Sequence, residues 1–166
     1  MTPLLLVALL VAGAVLSSGC RRTRLPNLPI RVNVAFATTA DLNSGSDTEA
    51  RPRATRVQVY QLRDRSAFTV IDRGTFWENE REALGAQLVK VECGMQLFPE
   101  QTEECAFTVE EATRFIGVAA DLYDPVEDQW RAVYPIDDLQ LHRLNVSIDA
   151  DVLSTDTELM VPGRNK

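Results

Sequence analysis

A chain of 166 residues, 45% hydrophobic and 25% charged, is long enough to bury one real core and short enough to be a single domain. Its net charge of −7 and pI near 4.8 weigh against nucleic acid as a partner, because phosphate backbones are gripped by basic patches. One histidine beside three cysteines excludes a histidine-rich metal centre within a single chain.

The apolar run over residues 4–16 falls short of the roughly 20 residues that a membrane-spanning helix needs, and it suits the apolar core of a secretory signal. Ser17, Ser18 and Gly19 follow as small residues, and Cys20 stands directly after them. This order resembles the lipobox of bacterial lipoproteins, in which the cysteine thiol is acylated and becomes the new N-terminus. We therefore expect a lipoprotein signal peptide over residues 1–19 and a lipidated tether over 20–29, with Cys20 as the attachment point. Two or more acyl chains, at about 0.8 kcal/mol per buried methylene, make such anchoring stable. Arg21 rather than aspartate follows the cysteine. In the lipoproteins it resembles, that choice implies sorting to the outer membrane, with the body on the periplasmic face.

From residue 30 onward, apolar and polar residues alternate with the two-residue period of half-buried strands. Ile30, Val32, Val34 and Phe36 form the first row, and residues 56–62 read as a strand with less clean alternation. Thr75 and Glu78 then have the form of a capping box, with Gly85 to stop the turn. They predict a short helical insert over about 65–85 that caps an apolar edge, with Phe76 and Trp77 as core. Further rows follow: Val89, Val91, Cys93, Met95 and Leu97; Cys105, Phe107 and Val109; Ile116, Val118, Ala120 and Leu122; Trp130, Ala132, Tyr134 and Ile136; Leu144, Val146 and Ile148. Residues 157–161 read as a last strand, ahead of a tail over 162–166. Many short strands separated by turn signals predict an all-β sandwich over residues 30–161.

With Cys20 given to lipid, Cys93 and Cys105 remain as an even pair in an oxidising compartment, and a disulfide is expected between them. If their strands pair antiparallel around the turn at 98–102, the two thiols face each other. Thr39, Ala40, Asp41, Leu42, Asn43, Ser44, Gly45, Ser46, Asp47, Thr48, Glu49, Ala50 and Arg51 form a polar loop longer than a hairpin needs. Such loops are functional or disordered, and pattern alone leaves both open. Asp121, Asp124, Glu127 and Asp128 offer oxygens of the kind calcium takes, but Asp124-Pro125 is turn chemistry and we read a solvated turn. His142 reads as a surface-edge residue, not a base. The residues assemble no catalytic site and no metal or cofactor site, and no small-molecule substrate is expected. Binding or scaffolding is the function class that remains.

Two stretches then carry a resemblance. RVQVYQLRDRSAF (residues 56–68) is similar to the segment of the TssJ family in which a valine-rich strand ends in Tyr-Gln-Leu and runs into a Phe-containing turn. RFIGVAADLYDPVEDQWR (residues 114–131) is similar to that family's strand ending in Val-Ala, followed by an acidic turn and Trp-Arg. With the lipobox, the chain resembles the outer-membrane lipoproteins of the type VI secretion system across roughly residues 29–148. The resemblance implies a transthyretin-like two-sheet β-sandwich with a small helical addition and no enzymatic activity. It also implies binding to the periplasmic C-terminal domain of a TssM-like inner-membrane protein, with the loop at residues 39–51 as a contact. The rival class is a periplasmic β-sandwich lipoprotein that binds a small ligand or envelope polymer, for which Trp77, Trp130 and Tyr134 are the available aromatic lining.

Overall fold

The computed structural model describes residues 29–45, 51–139 and 142–159. Eight strands form two four-stranded sheets. The strands are β1 (Arg31–Thr38), β2 (Thr55–Leu62), β3 (Leu88–Leu97), β4 (Thr102–Thr108), β5 (Phe115–Ala120), β6 (Arg131–Pro135), β7 (His142–Asp149) and β8 (Val152–Leu159). The first sheet has the order β4-β1-β7-β8 and the second β3-β2-β5-β6. Among the described residues only β1 and β7 run parallel; the other strand pairs are antiparallel. The expected all-β sandwich is what the chain forms.

The alternating rows meet between the sheets. Val32, Val34 and Phe36 of β1 and Leu144, Val146 and Ile148 of β7 are buried on one side, facing Val57, Val59, Ile116 and Val118 of the second sheet. The last strand begins at Val152, earlier than the 157–161 expected, because Asp149 pairs with Val152 in a tight hairpin.

Toward the end of β2 the second sheet is buried on both faces, which is why residues 56–62 alternate poorly. Val57 and Val59 point inward, while Tyr60 and Leu62 point outward and are equally buried. Three short helices cover that outer face: α1 (Ser66–Val70), α2 (Arg73–Glu78) and α3 (Glu80–Leu84). The helical insert therefore lies across a sheet face instead of capping an edge. Phe76 of α2 has no exposed surface, and its ring centroid lies 5.6 Å from Tyr60, 5.7 Å from Phe68, 5.1 Å from Trp77 and 5.2 Å from Trp130. Gly117 of β5 makes the close approach possible, since a Cβ there would stand 3.1 Å from both Leu62 Cδ1 and Phe68 Cζ. Trp130 joins this cluster from the turn ahead of β6, so it leaves the row of Ala132 and Tyr134.

The capping of α2 also differs from the sequence expectation. Asp72, not Thr75, is the N-cap, and its carboxylate accepts from the Thr75 amide at 3.0 Å. An aspartate there keeps its acceptor ionised against the helix N-terminus, and that bond holds its pKa below the usual carboxylate range. Gly85 ends α3 at φ 50°, as its position suggested.

Cys93 and Cys105 form a disulfide with Cα atoms 6.2 Å apart. Their strands do not pair across a hairpin. β3 edges the second sheet and β4 edges the first, so the bond staples one sheet to the other. A bulge in β3 opposite Val59 contributes to this, turning Cys93 inward while Val91 stays opposite outward-facing Tyr60. Replacing both cysteines by alanine is expected to cost about 3 kcal/mol, the chain-entropy value for a short loop. Urea denaturation of the oxidised protein and the variant, compared with the reduced wild type, measures it.

Candidate partner-binding pole

Strand directions sort the connections between two poles. β1, β3, β5 and β7 all end at one pole, where β2, β4, β6 and β8 begin. Residues 39–45, 51–54, 98–101, 121–130 and 150–151 therefore share that pole. The described chain starts at the other one, where the Val109 amide donates to the Ile30 carbonyl at 2.8 Å.

The first part of the 39–51 loop is built into the body. Leu42 has no exposed surface, and Asn43 and Ser44 are buried. The Asn43 amide donates to the Ala150 carbonyl, and its side-chain oxygen accepts from the Tyr123 amide. The Gly45 amide donates to buried Asp151 at 2.8 Å. Arg53 donates to the Ser44 carbonyl at 3.3 Å and lays its guanidinium 4.2 Å from the Tyr123 ring centroid. The loop thus braces the β5–β6 and β7–β8 connections. Ala40, Asp41 and Arg51 are exposed, and Thr39 and Gly45 are partly so. Ser46, Asp47, Thr48, Glu49 and Ala50 lie outside the described residues, as does Cys20.

Other candidate residues fall into structural settings. Asp128 accepts from Arg131 at 2.8 Å, and Asp121 is exposed. Among the described residues, no group of three or more His, Cys, Asp or Glu is arranged to hold a metal. His142 opens β7. The aromatic lining that a ligand pocket would need is occupied: Trp77 and Trp130 pack on Phe76, and the Tyr134 hydroxyl bonds Thr155 of β8. A hollow of about 760 Å³ is an open trough on the outer face of the first sheet, over Ala35, Ala37, Glu104, Arg143 and Asn145. The shifted titrating groups sit elsewhere. Burial drives the Tyr60 hydroxyl far up, with Glu80 adding to it, and a bond to Glu92 raises Lys90.

A family model described as "Type VI secretion lipoprotein, VasD, EvfM, TssJ, VC_A0113" matches residues 30–165. The chain belongs to this type VI secretion lipoprotein family. Solved structures share its fold. The lipoprotein TssJ1 from Pseudomonas aeruginosa superposes with a TM-score of 0.69 at 24% identity, covering 79% of this chain and 98% of that one. Serratia marcescens Lip, a membrane-bound component of the type VI secretion system, superposes at 0.67 and 19% identity, covering 80% and 99%. A chain of a structure described as the T6SS protein TssM C-terminal domain (869–1107) from EAEC superposes at 0.64 and 19%, covering 76% and 97%. No curated protein matches the sequence.

The packing and hydrogen bonds show what the two resembling stretches do in this fold. Tyr60 stands in the aromatic cluster under the helices. Gln61, with no exposed surface, donates to the Thr108 carbonyl at 3.0 Å and to Glu92, and accepts from the Glu110 amide at 2.8 Å and from the Thr113 hydroxyl. It links β2 and β3 of the second sheet to the end of β4 in the first. Arg131 donates to the Phe68 and Thr69 carbonyls at 2.8 Å and to Ile71 at 2.6 Å, satisfying the open C-terminal end of α1. These residues hold the helices and sheets together; they form no site. Reading the sequence missed the roles of Gln61 and Arg131. A glutamine inside an otherwise buried strand was the available signal, because a buried amide requires partners.

Proposed function

We propose that the chain is a non-enzymatic scaffold of the type VI trans-envelope complex. Acyl chains on Cys20 hold it in the outer membrane, and the pole with the 39–51 loop binds the periplasmic C-terminal domain of a TssM-like inner-membrane protein. The family match over residues 30–165 is the observation that carries this reading. The lipobox and Arg21 support outer-membrane attachment. The placement of the poles supports the division of labour. A tether of residues 20–29 can span no more than about 3.5 Å per residue, and Ile30, the next residue, lies at the pole opposite the loops.

Confinement also contributes physically. A body held in a thin layer meets a membrane-spanning partner at an effective concentration far above its bulk value, without any added contact. Affinity purification of the full chain from detergent-solubilised envelopes tests the proposal. The TssM-like protein is expected to co-purify. Its absence from the eluate, with the chain itself recovered intact, contradicts the reading.

A further inference from the structure

We infer that the partner-binding surface is composite. Its apolar contacts come from Phe98 in the β3–β4 turn and from Tyr123 and Val126 in the β5–β6 loop, with the 39–45 segment as the brace that fixes them. The inference rests on the scaffold reading above and names the surface through which it works.

Exposure is the first observation. Phe98, Tyr123 and Val126 are 55%, 54% and 52% exposed. Among the described residues only four large apolar side chains are this open, and these three share the pole; the fourth, Val70, lies in α1. Large aromatic and aliphatic groups left in water at one end of a well-packed body mark an interaction surface, and aromatics are the residues that anchor interfaces.

Backbone geometry is the second. Among the described residues, four that are not glycine have positive φ: Asn43 at 51°, Glu100 at 58°, Glu127 at 49° and Ala150 at 49°. Each of the pole's four connections holds one. Glycine would adopt these angles freely, while a side chain adopts them at a cost. Such outliers persist where the surrounding structure holds them, and they cluster at binding and switching sites. Glu100 and Glu127 lie two residues and one residue from Phe98 and Val126 along the chain, so two of the strained positions fall in the same connections as the apolar groups.

Charge and position select the occupant. Asp41, Glu100, Asp121 and Glu127 are exposed at this pole, and Arg53 is drawn down onto Tyr123. The three apolar groups flank the pole from its two edges, Phe98 on the β3–β4 side and Tyr123 and Val126 on the β5–β6 side, and its exposed carboxylates outnumber the exposed Arg51 and Arg53; Asn43, Asp151 and Arg53 tie its connections together. The pole fits a protein face that carries apolar and basic groups. Since the described chain starts at the opposite pole, that face is expected from the side away from the acylated membrane. That is where the periplasmic domain of the TssM-like protein stands in the scaffold reading.

Biosensor titration of the full chain in detergent against that periplasmic domain tests the inference. The double variant Phe98→Glu/Val126→Glu is expected to bind at least tenfold more weakly, the size of loss seen when interface anchors are removed. Its melting transition should stay unchanged, since both side chains are surface groups. Should the charged pair perturb folding, Phe98→Ser/Val126→Ser replaces it with the same expectation. Wild-type binding should also slow as salt rises, through the excess of carboxylates. Absence of wild-type binding overturns the scaffold reading itself. Wild-type binding with the folded double variant within twofold of it overturns the composite surface alone.

Discussion

Replacing Cys20 with serine is expected to abolish type VI secretion while leaving a folded body that still binds the TssM-like periplasmic domain in solution. The thiol is the only group at this position that can carry the first acyl chain, and the hydroxyl of serine does not replace it. In the proposed scaffold the anchor contributes no contact to the partner, so intrinsic affinity is expected to stay within about twofold of wild type. What disappears is confinement. Effective concentrations for short tethers reach the millimolar range, and a freely diffusing periplasmic body at ordinary expression levels falls well below that. Secretion assays, fractionation and binding measured on the same variant separate the two effects. Full secretion by Cys20→Ser would contradict the mechanism.

Phe76→Ala is expected to destabilise the body by about 3–5 kcal/mol, the usual cost of truncating a buried aromatic. Phe76 has no exposed surface and touches four other aromatic rings, so the cavity left behind has rigid walls and little means to collapse. Against a typical domain stability of 5–15 kcal/mol, that is a large share. The helices should loosen from the second sheet first, since Phe76 is the residue through which α2 reaches Tyr60. Urea denaturation gives the total cost, and hydrogen exchange at residues 66–84 shows where it falls. Phe76→Leu, which keeps much of the volume, should cost less. A loss below about 1 kcal/mol for the alanine variant would mean that the cluster does not hold the helices as described.

Much of this fold was legible in the sequence. The inward rows of β1 and β7 read directly, because alternation is a local property and one face of each strand is buried. The helical insert announced itself through Gly85 and the break in alternation. Partnership between strands did not read, because it depends on contacts far apart in the chain. Cys93 and Cys105 flank a short turn and suggest a hairpin, yet their strands edge different sheets. The row from Val89 to Leu97 looked continuous, but the bulge shifts its register midway. Tyr60 and Leu62 spoiled the pattern of β2 because the helices bury its second face.

The candidate site was legible in part. The 39–51 loop stood out by its length, and its neighbourhood could not be seen, since Tyr123, Ala150 and Asp151 reach it only through the fold. The exposure of Phe98, Tyr123 and Val126 was equally hidden, because an apolar residue in a turn is covered or left open by contacts that only the fold makes. Pro99-Glu100 was a faint sign of positive φ, as glycine is common after proline in such turns.

Separation of inner and outer membranes on a density gradient, followed by detection of the TssM-like protein, tests the central claim most directly. With the wild-type chain present, a fraction of that inner-membrane protein is expected to sediment with the outer membrane, and the fraction should vanish with Cys20→Ser. An unchanged distribution in the absence of the chain, or recovery of the wild-type chain itself in the soluble periplasm, would contradict a lipid-held bridge between the two membranes.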